Sequence, residues 1–127
     1  MDLSAYPNVV LLEHPLLKHK ISILRNKNTP TSEFRSVVKE IAMMEAYEAL
    51  RDLPTVPTEI ETPIEKTVQP MVIGHNLCFV PILRAGMGMV DGFTELIPTA
   101  HVGHIGLYRD EVTHEPHEYY CKLPKGL

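Results

Sequence analysis

The stretch FVPILRAGMGMVDG, Phe79 to Gly92, decides how the fold is read. Apolar residues run into Arg84, glycines follow at positions 86 and 88, and a helical spacing of apolar side chains then resumes. Working backwards, LCFVPIL (Leu77 to Leu83) is a near-continuous apolar run with β-branched and aromatic residues, the composition of a strand covered on both faces. Working forwards, Met89, Phe93, Leu96 and Ile97 fall on one helical face, and Pro98 closes the segment. Ala100 to Tyr108 (AHVGHIGLY) then reads as a second buried strand. Strand, short loop, helix and strand within about 30 residues make a βαβ unit, whose two strands are parallel.

That unit has a chemical consequence, because open parallel sheets bind ligands beyond the carboxyl ends of their strands. Arg84 is expected just past the end of the first strand and Arg109 just past the end of the second, facing one crevice. Between them, Ala85, Gly86, Met87 and Gly88 form a loop whose backbone amides can approach a ligand closely, and the helix that follows turns its positive end to the same place. Arginine forks and amides favour a phosphate or pyrophosphate. A competing reading is that Asp110 and Glu111 simply neutralise Arg109. Standard phosphate motifs are missing: Gly86 to Gly92 misses G-x-G-x-x-G by one position, and no G-x-x-x-x-G-K-[ST] occurs. His101 with His104, three apart on a strand, point to opposite faces, and His114 with His117 span a proline turn, so neither pair is read as a metal site.

The rest of the chain supplies a frame for this unit. Val9 to Leu12 is read as a short strand closed by Pro15, and Pro15 to Asn26 as an amphipathic helix carrying Leu16, Leu17, Ile21 and Leu24. A helix from Glu33 to Arg51 is expected, started by Thr31 or Ser32, with Phe34, Val37, Val38, Ile41 and Met44 on one face and Tyr47 and Leu50 extending it. Leu53 to Pro70 holds four prolines and four threonines and reads as an exposed β-hairpin. After Arg109 the chain is expected to turn through His114-Glu115-Pro116 into a last strand from Tyr119 to Leu123.

The 127 residues suffice for one domain with its own core. Net charge is −4, which offers no basic field for nucleic acid or an anionic membrane, so an anionic ligand would have to be held by local cations. No apolar run approaches the roughly 20 residues needed to span a bilayer, and the N-terminus MDLSAYPNVV lacks a basic segment followed by an apolar one. With Cys78 and Cys121 read as two reduced thiols, a cytoplasmic protein is expected.

Several of these stretches, in this order, resemble the uracil phosphoribosyltransferase family of bacteria: EHPLLKHKISILRN, Phe34-Arg35, YEALRDL, VPILRAGMGMVDG, LYRDE and EPHEYYCKLP. The resemblance runs from about Val9 to Pro124. It implies an α/β fold of the type I phosphoribosyltransferase kind: N-terminal strand and helices over 1–53, a β-hairpin region over 54–75, and the first βαβ unit with a hairpin over 76–127. It also implies transfer of phosphoribosyl from 5-phosphoribosyl 1-pyrophosphate (PRPP) to uracil, giving UMP and pyrophosphate in pyrimidine salvage, with magnesium accompanying PRPP and a homo-oligomeric assembly. By that resemblance Arg84 and Arg109 contact PRPP. Family members continue with an acidic, glycine-rich loop for the ribose 5-phosphate and a segment that reads uracil. Neither is found up to Leu127, so the chain is expected to be one incomplete domain, inactive alone. A non-catalytic PRPP- or nucleotide-binding relative with a regulatory or oligomerising role is the alternative.

Overall fold

The computed structural model describes residues 6–72 and 76–125. The outer ends of the 1–53 and 76–127 regions, and residues 73–75 of the hairpin region, lie outside the described residues.

Helix α1 spans Pro15–Arg25 and α2 spans Thr31–Ala49. Proline in the first turn of α1 costs no hydrogen bond, and the His14 side chain accepts from the Leu16 amide at 3.2 Å. The start of α2 differs from the expected cap. Pro30 stands at the N-cap without a side-chain bond, and Thr31 and Ser32 already belong to the first turn. Leu17, Val37 and Ile41 form the buried cluster between these helices, with Leu12, Ile23, Leu24 and Met44 packed around it. Ala42 and Ala46 are fully buried. Phe34 and Tyr47, expected on the buried face of α2, remain exposed, as do Leu16 and Ile21 of α1.

Val9 to Leu12 is not a strand. No ladder forms beside it among the described residues; Val9, Val10 and Leu11 are exposed, and Leu12 alone packs on the helical cluster. The proline-rich segment does form the expected hairpin, with β1 (Thr55–Glu61) antiparallel to β2 (Lys66–Val72) and Pro57 opposite Pro70. Both prolines are tolerated because the ribbon has only two strands and each offers an open edge.

The βαβ unit is present with a broken ladder. The first strand appears as β3 (Cys78–Phe79) and β4 (Ile82–Leu83), separated by Val80-Pro81, where proline has no N–H to donate. Helix α3 spans Met87–Leu96, and the return strand is β5 (His101–Val102) followed by β6 (His104–Arg109). One parallel register nevertheless unites the pieces. Cys78 faces His101, Phe79 faces Val102, Ile82 faces Ile105 and Leu83 faces Gly106, while Gly103 N–H donates to the Phe79 carbonyl and Ile105 N–H to that of Pro81. The strand is covered on one face, where Phe79 meets Phe93 of α3 edge-on at 5.2 Å, but Ile82 stays 53% exposed. The last strand, β7, starts earlier than expected, at Pro116, runs to Lys122, and pairs antiparallel with β6. The Tyr119 ring lies over Gly106, where a β-carbon would come within 2.6 Å of it.

Close approach of α2 and α3 fixes the unit against the helices. A β-carbon at Gly92 would sit 2.5 Å from the Lys39 carbonyl oxygen and 2.7 Å from Ala42 Cβ, so glycine lets the two backbones nearly touch.

Candidate functional site

The site begins where β4 ends. The peptide between Leu83 and Arg84 is cis, Arg84, Ala85 and Gly86 form a tight turn, and α3 begins at Met87. The Gly86 amide donates back to the Ile82 carbonyl at 2.9 Å; a β-carbon there would lie 2.7 Å from that oxygen and 2.8 Å from the Ile82 nitrogen. Only glycine lets the chain fold back so tightly on its own strand.

This turn uses several of its donors internally. Met87 N–H donates to Arg84 O at 3.1 Å, Gly88 N–H to Ala85 O at 3.2 Å, and Met89 N–H to Gly86 O at 3.1 Å. The amides of Gly86, Met87 and Gly88 are therefore occupied in this conformation. Among the described residues the Ala85 amide has no acceptor.

Arg109 is the last residue of β6, not just beyond it. Leu83 pairs with Gly106, so β6 carries Arg109 three residues past the last parallel pair, roughly 10 Å along the strand direction. Pairing with Pro116 of β7 supports that overhang. Arg84 and Arg109 thus stand at the same end of the ladder, and both are exposed.

Asp110 does not neutralise Arg109. Its carboxylate accepts from the Val112 and Thr113 amides, each at 2.8 Å, and these bonds hold its pKa below the usual aspartate value. The ion pairs among the described residues are Lys18–Glu13, Lys20–Glu40, Lys39–Glu95 and Arg51–Glu48, none of which includes Arg84 or Arg109. Because Asp110 titrates lower in the folded state, its contribution is complete above the ordinary aspartate range and is lost as pH falls through the lowered value. Asp110→Ala is therefore expected to lower the thermal midpoint at about pH 7, and the gap from the unsubstituted chain should narrow as pH falls below the ordinary aspartate range. Thermal melts of the two proteins across that range check the sign.

On the helical side of the turn, a cleft of about 400 Å³ is lined by Phe34, Arg35, Ser36, Val38 and Lys39 of α2 together with Ala85, Gly88 and Asp91. Sequence periodicity did not mark Arg35 as a site residue, because it sits between the apolar positions of α2 with no motif of its own beyond Phe34-Arg35. The approach of α2 to the turn brings it in. Among the described residues no group of three or more His, Cys, Asp or Glu gathers to hold a metal, and no helix is long and apolar enough to cross a membrane.

Comparison with known proteins agrees with this architecture. A family model described as uracil phosphoribosyltransferase matches residues 10–127. Curated proteins named uracil phosphoribosyltransferase are 56% identical over 119 residues in Clostridium novyi, 58% over 117 in Streptococcus suis and 53% over 122 in a Thermoanaerobacter species. These alignments take in 94%, 92% and 96% of the chain but 57%, 56% and 58% of those relatives. The chain therefore spans little more than half their length. The solved structure of the AQ2163 protein from Aquifex aeolicus superposes with a TM-score of 0.86 at 39% identity, covering 91% of this chain and 56% of that one. A βαβ unit whose first strand runs into ILRAG, an overhanging second strand that leads into YRDE and a family match over nearly the whole chain support the same conclusion: the chain belongs to the uracil phosphoribosyltransferase family.

Proposed function

We propose that these residues form the pyrophosphate-binding part of an enzyme that transfers phosphoribosyl from PRPP to uracil, yielding UMP and pyrophosphate. The observation that carries this reading is the pair of guanidiniums, Arg84 and Arg109, at one end of the parallel ladder and without an acidic partner among the described residues. In the transfer, the bond from ribose C1 to the pyrophosphate oxygen breaks and the leaving group takes the electron pair, while N1 of uracil gives up its proton to solvent and bonds to C1. Negative charge grows on the pyrophosphate, and cations already in position stabilise that change more than they stabilise bound PRPP. Arg84 and the Ala85 amide hold the departing group, with Gly86, Met87 and Gly88 shaping the turn beneath it. Arg109 offsets the same charge from the neighbouring strand.

Magnesium is read as entering with PRPP as part of the substrate, where it would offset phosphate charge, because magnesium at such sites leans on substrate phosphates and few protein carboxylates. The protein is read as cytoplasmic and homo-oligomeric, the exposed edge at Ile82 being open to a further strand.

The 127-residue chain is expected to bind PRPP without turning it over. Incubating the purified chain with PRPP, magnesium and labelled uracil should give no UMP above background. Sustained UMP formation, lost in Arg84→Ala, would instead show that these residues hold a whole active site.

A further inference from the structure

The cleft between α2 and the Arg84 turn contains two cations, and they are not equivalent. Lys39 is ion-paired with Glu95, and Glu95, with Asp91 behind it, holds the ammonium above the ordinary lysine range. Arg35 makes no ion pair or side-chain hydrogen bond among the described residues, and it is exposed. Its helix does not neutralise it either. The positions three and four residues away are Thr31, Ser32, Val38 and Lys39, so the nearest charge along the helix face is another cation. The Ser36 hydroxyl is turned to its own helix, donating to the Ser32 carbonyl at 3.2 Å.

A like-charge pair on one helix face opposes helix formation, and here that face meets the turn whose amides are mostly occupied. With Gly86, Met87 and Gly88 N–H committed to Ile82, Arg84 and Ala85 carbonyls, an anion on this turn depends chiefly on side-chain cations. Arg84 supplies one from the strand end, and Arg35 is the unpaired cation lining the cleft beside Ala85 and Gly88. Gly92 keeps α2 close enough for this, since its backbone abuts the Lys39 carbonyl.

We propose that Arg35 is a further binding residue of the pyrophosphate site, its guanidinium closing the α2 side of the cleft onto a diphosphate seated on the Arg84–Gly88 turn. This rests on the pyrophosphate reading of the turn. The ligand class is a diphosphate, either free or as the leaving group of PRPP, and the two sources are separated by titrating each.

The test is calorimetric titration of the full chain with magnesium pyrophosphate, and separately with PRPP, for the unsubstituted protein, Arg35→Gln, Arg35→Lys, Arg84→Ala and Arg25→Gln. Arg25, in the last turn of α1, is the surface control. Loss of one charge-assisted contact should raise the dissociation constant of Arg35→Gln roughly tenfold for both ligands. Arg35→Lys should recover part of that, keeping the charge but not the fork, and Arg25→Gln should stay near the unsubstituted value. Thermal melts of Arg35→Gln should stay close to the unsubstituted chain, since the side chain is exposed and makes no ion pair or side-chain hydrogen bond among the described residues. If Arg84→Ala weakens binding while Arg35→Gln behaves like Arg25→Gln, the role of Arg35 is overturned and the pyrophosphate reading stands. Absence of saturable binding by the unsubstituted chain overturns both.

Discussion

Gly92→Val is expected to cost about 3 kcal/mol of folding stability, the upper range for forcing bulk into a packed contact. The reason is local and geometric. A β-carbon at position 92 would fall 2.5 Å from the Lys39 carbonyl oxygen, 2.7 Å from Ala42 Cβ and 3.0 Å from the Met43 nitrogen, so part of the obstacle is helix backbone that cannot rotate away. Replacing glycine inside a helix usually gains up to about 1 kcal/mol from propensity alone, and the overlap must outweigh that gain. Valine adds two methyl groups to the same collision. Gly88 provides the contrast within the same helix: a β-carbon there meets only Val38 Cγ1, at an ordinary 3.6 Å. Gly88→Ala should therefore leave stability unchanged or raise it by up to about 1 kcal/mol, the propensity gain with no overlap to offset it. Urea unfolding of the two variants beside the parent measures both. A Gly92→Val midpoint equal to that of Gly88→Ala would mean that α2 and α3 do not pack as described.

Arg84→Ala is expected to weaken binding of PRPP or pyrophosphate by about 1.5–3 kcal/mol, a loss of roughly 10- to 150-fold. The side chain sits where the ladder ends, is exposed, and has no acidic partner among the described residues. Removing it should not change folding stability by more than about 0.5 kcal/mol, as is usual for an exposed side chain. Binding and folding effects are thus separable in one variant. Affinity unchanged in a folded Arg84→Ala protein would take this residue out of the site.

How much of this was legible in the residues depends on whether local chemistry or a distant partner decides each element. Pro15 to Asn26 read as a helix because Pro15 suits a first turn and the apolar spacing is helical, and α1 follows it to within one residue. The hairpin at Thr55–Val72 was readable from its prolines, which restrict where a strand can lie. The βαβ unit was readable because Gly86, Gly88 and Pro98 punctuate it. Val9 to Leu12 misled, since an apolar run has the composition of a strand whether or not a neighbour exists to pair with it, and here only Leu12 packs, against the cluster between α1 and α2. Residues 77–83 have the composition of a strand buried on both faces, yet Ile82 is half exposed. Such apolarity suits more cover than the described residues supply, in a chain that spans 56–58% of its relatives' length.

The site was partly legible for the same reason. Arg84 and Arg109 could be placed because strand ends are readable, and the parallel register sets them at one end of the sheet. The state of the amides was not, because whether Gly86, Met87 and Gly88 donate outward or to their own turn depends on backbone geometry that no motif states. Arg35 was not legible because its proximity to the turn arises from the α2–α3 crossing at Gly92, more than 50 positions away in sequence.

The central claim, that these residues are the pyrophosphate wall of a phosphoribosyltransferase site, is tested most directly by titrating the folded chain with PRPP plus magnesium in one experiment and with uracil in another. Saturable binding of PRPP, displaced by pyrophosphate, with no binding of uracil alone, is the expected result. Binding of uracil without any binding of PRPP or pyrophosphate would contradict it.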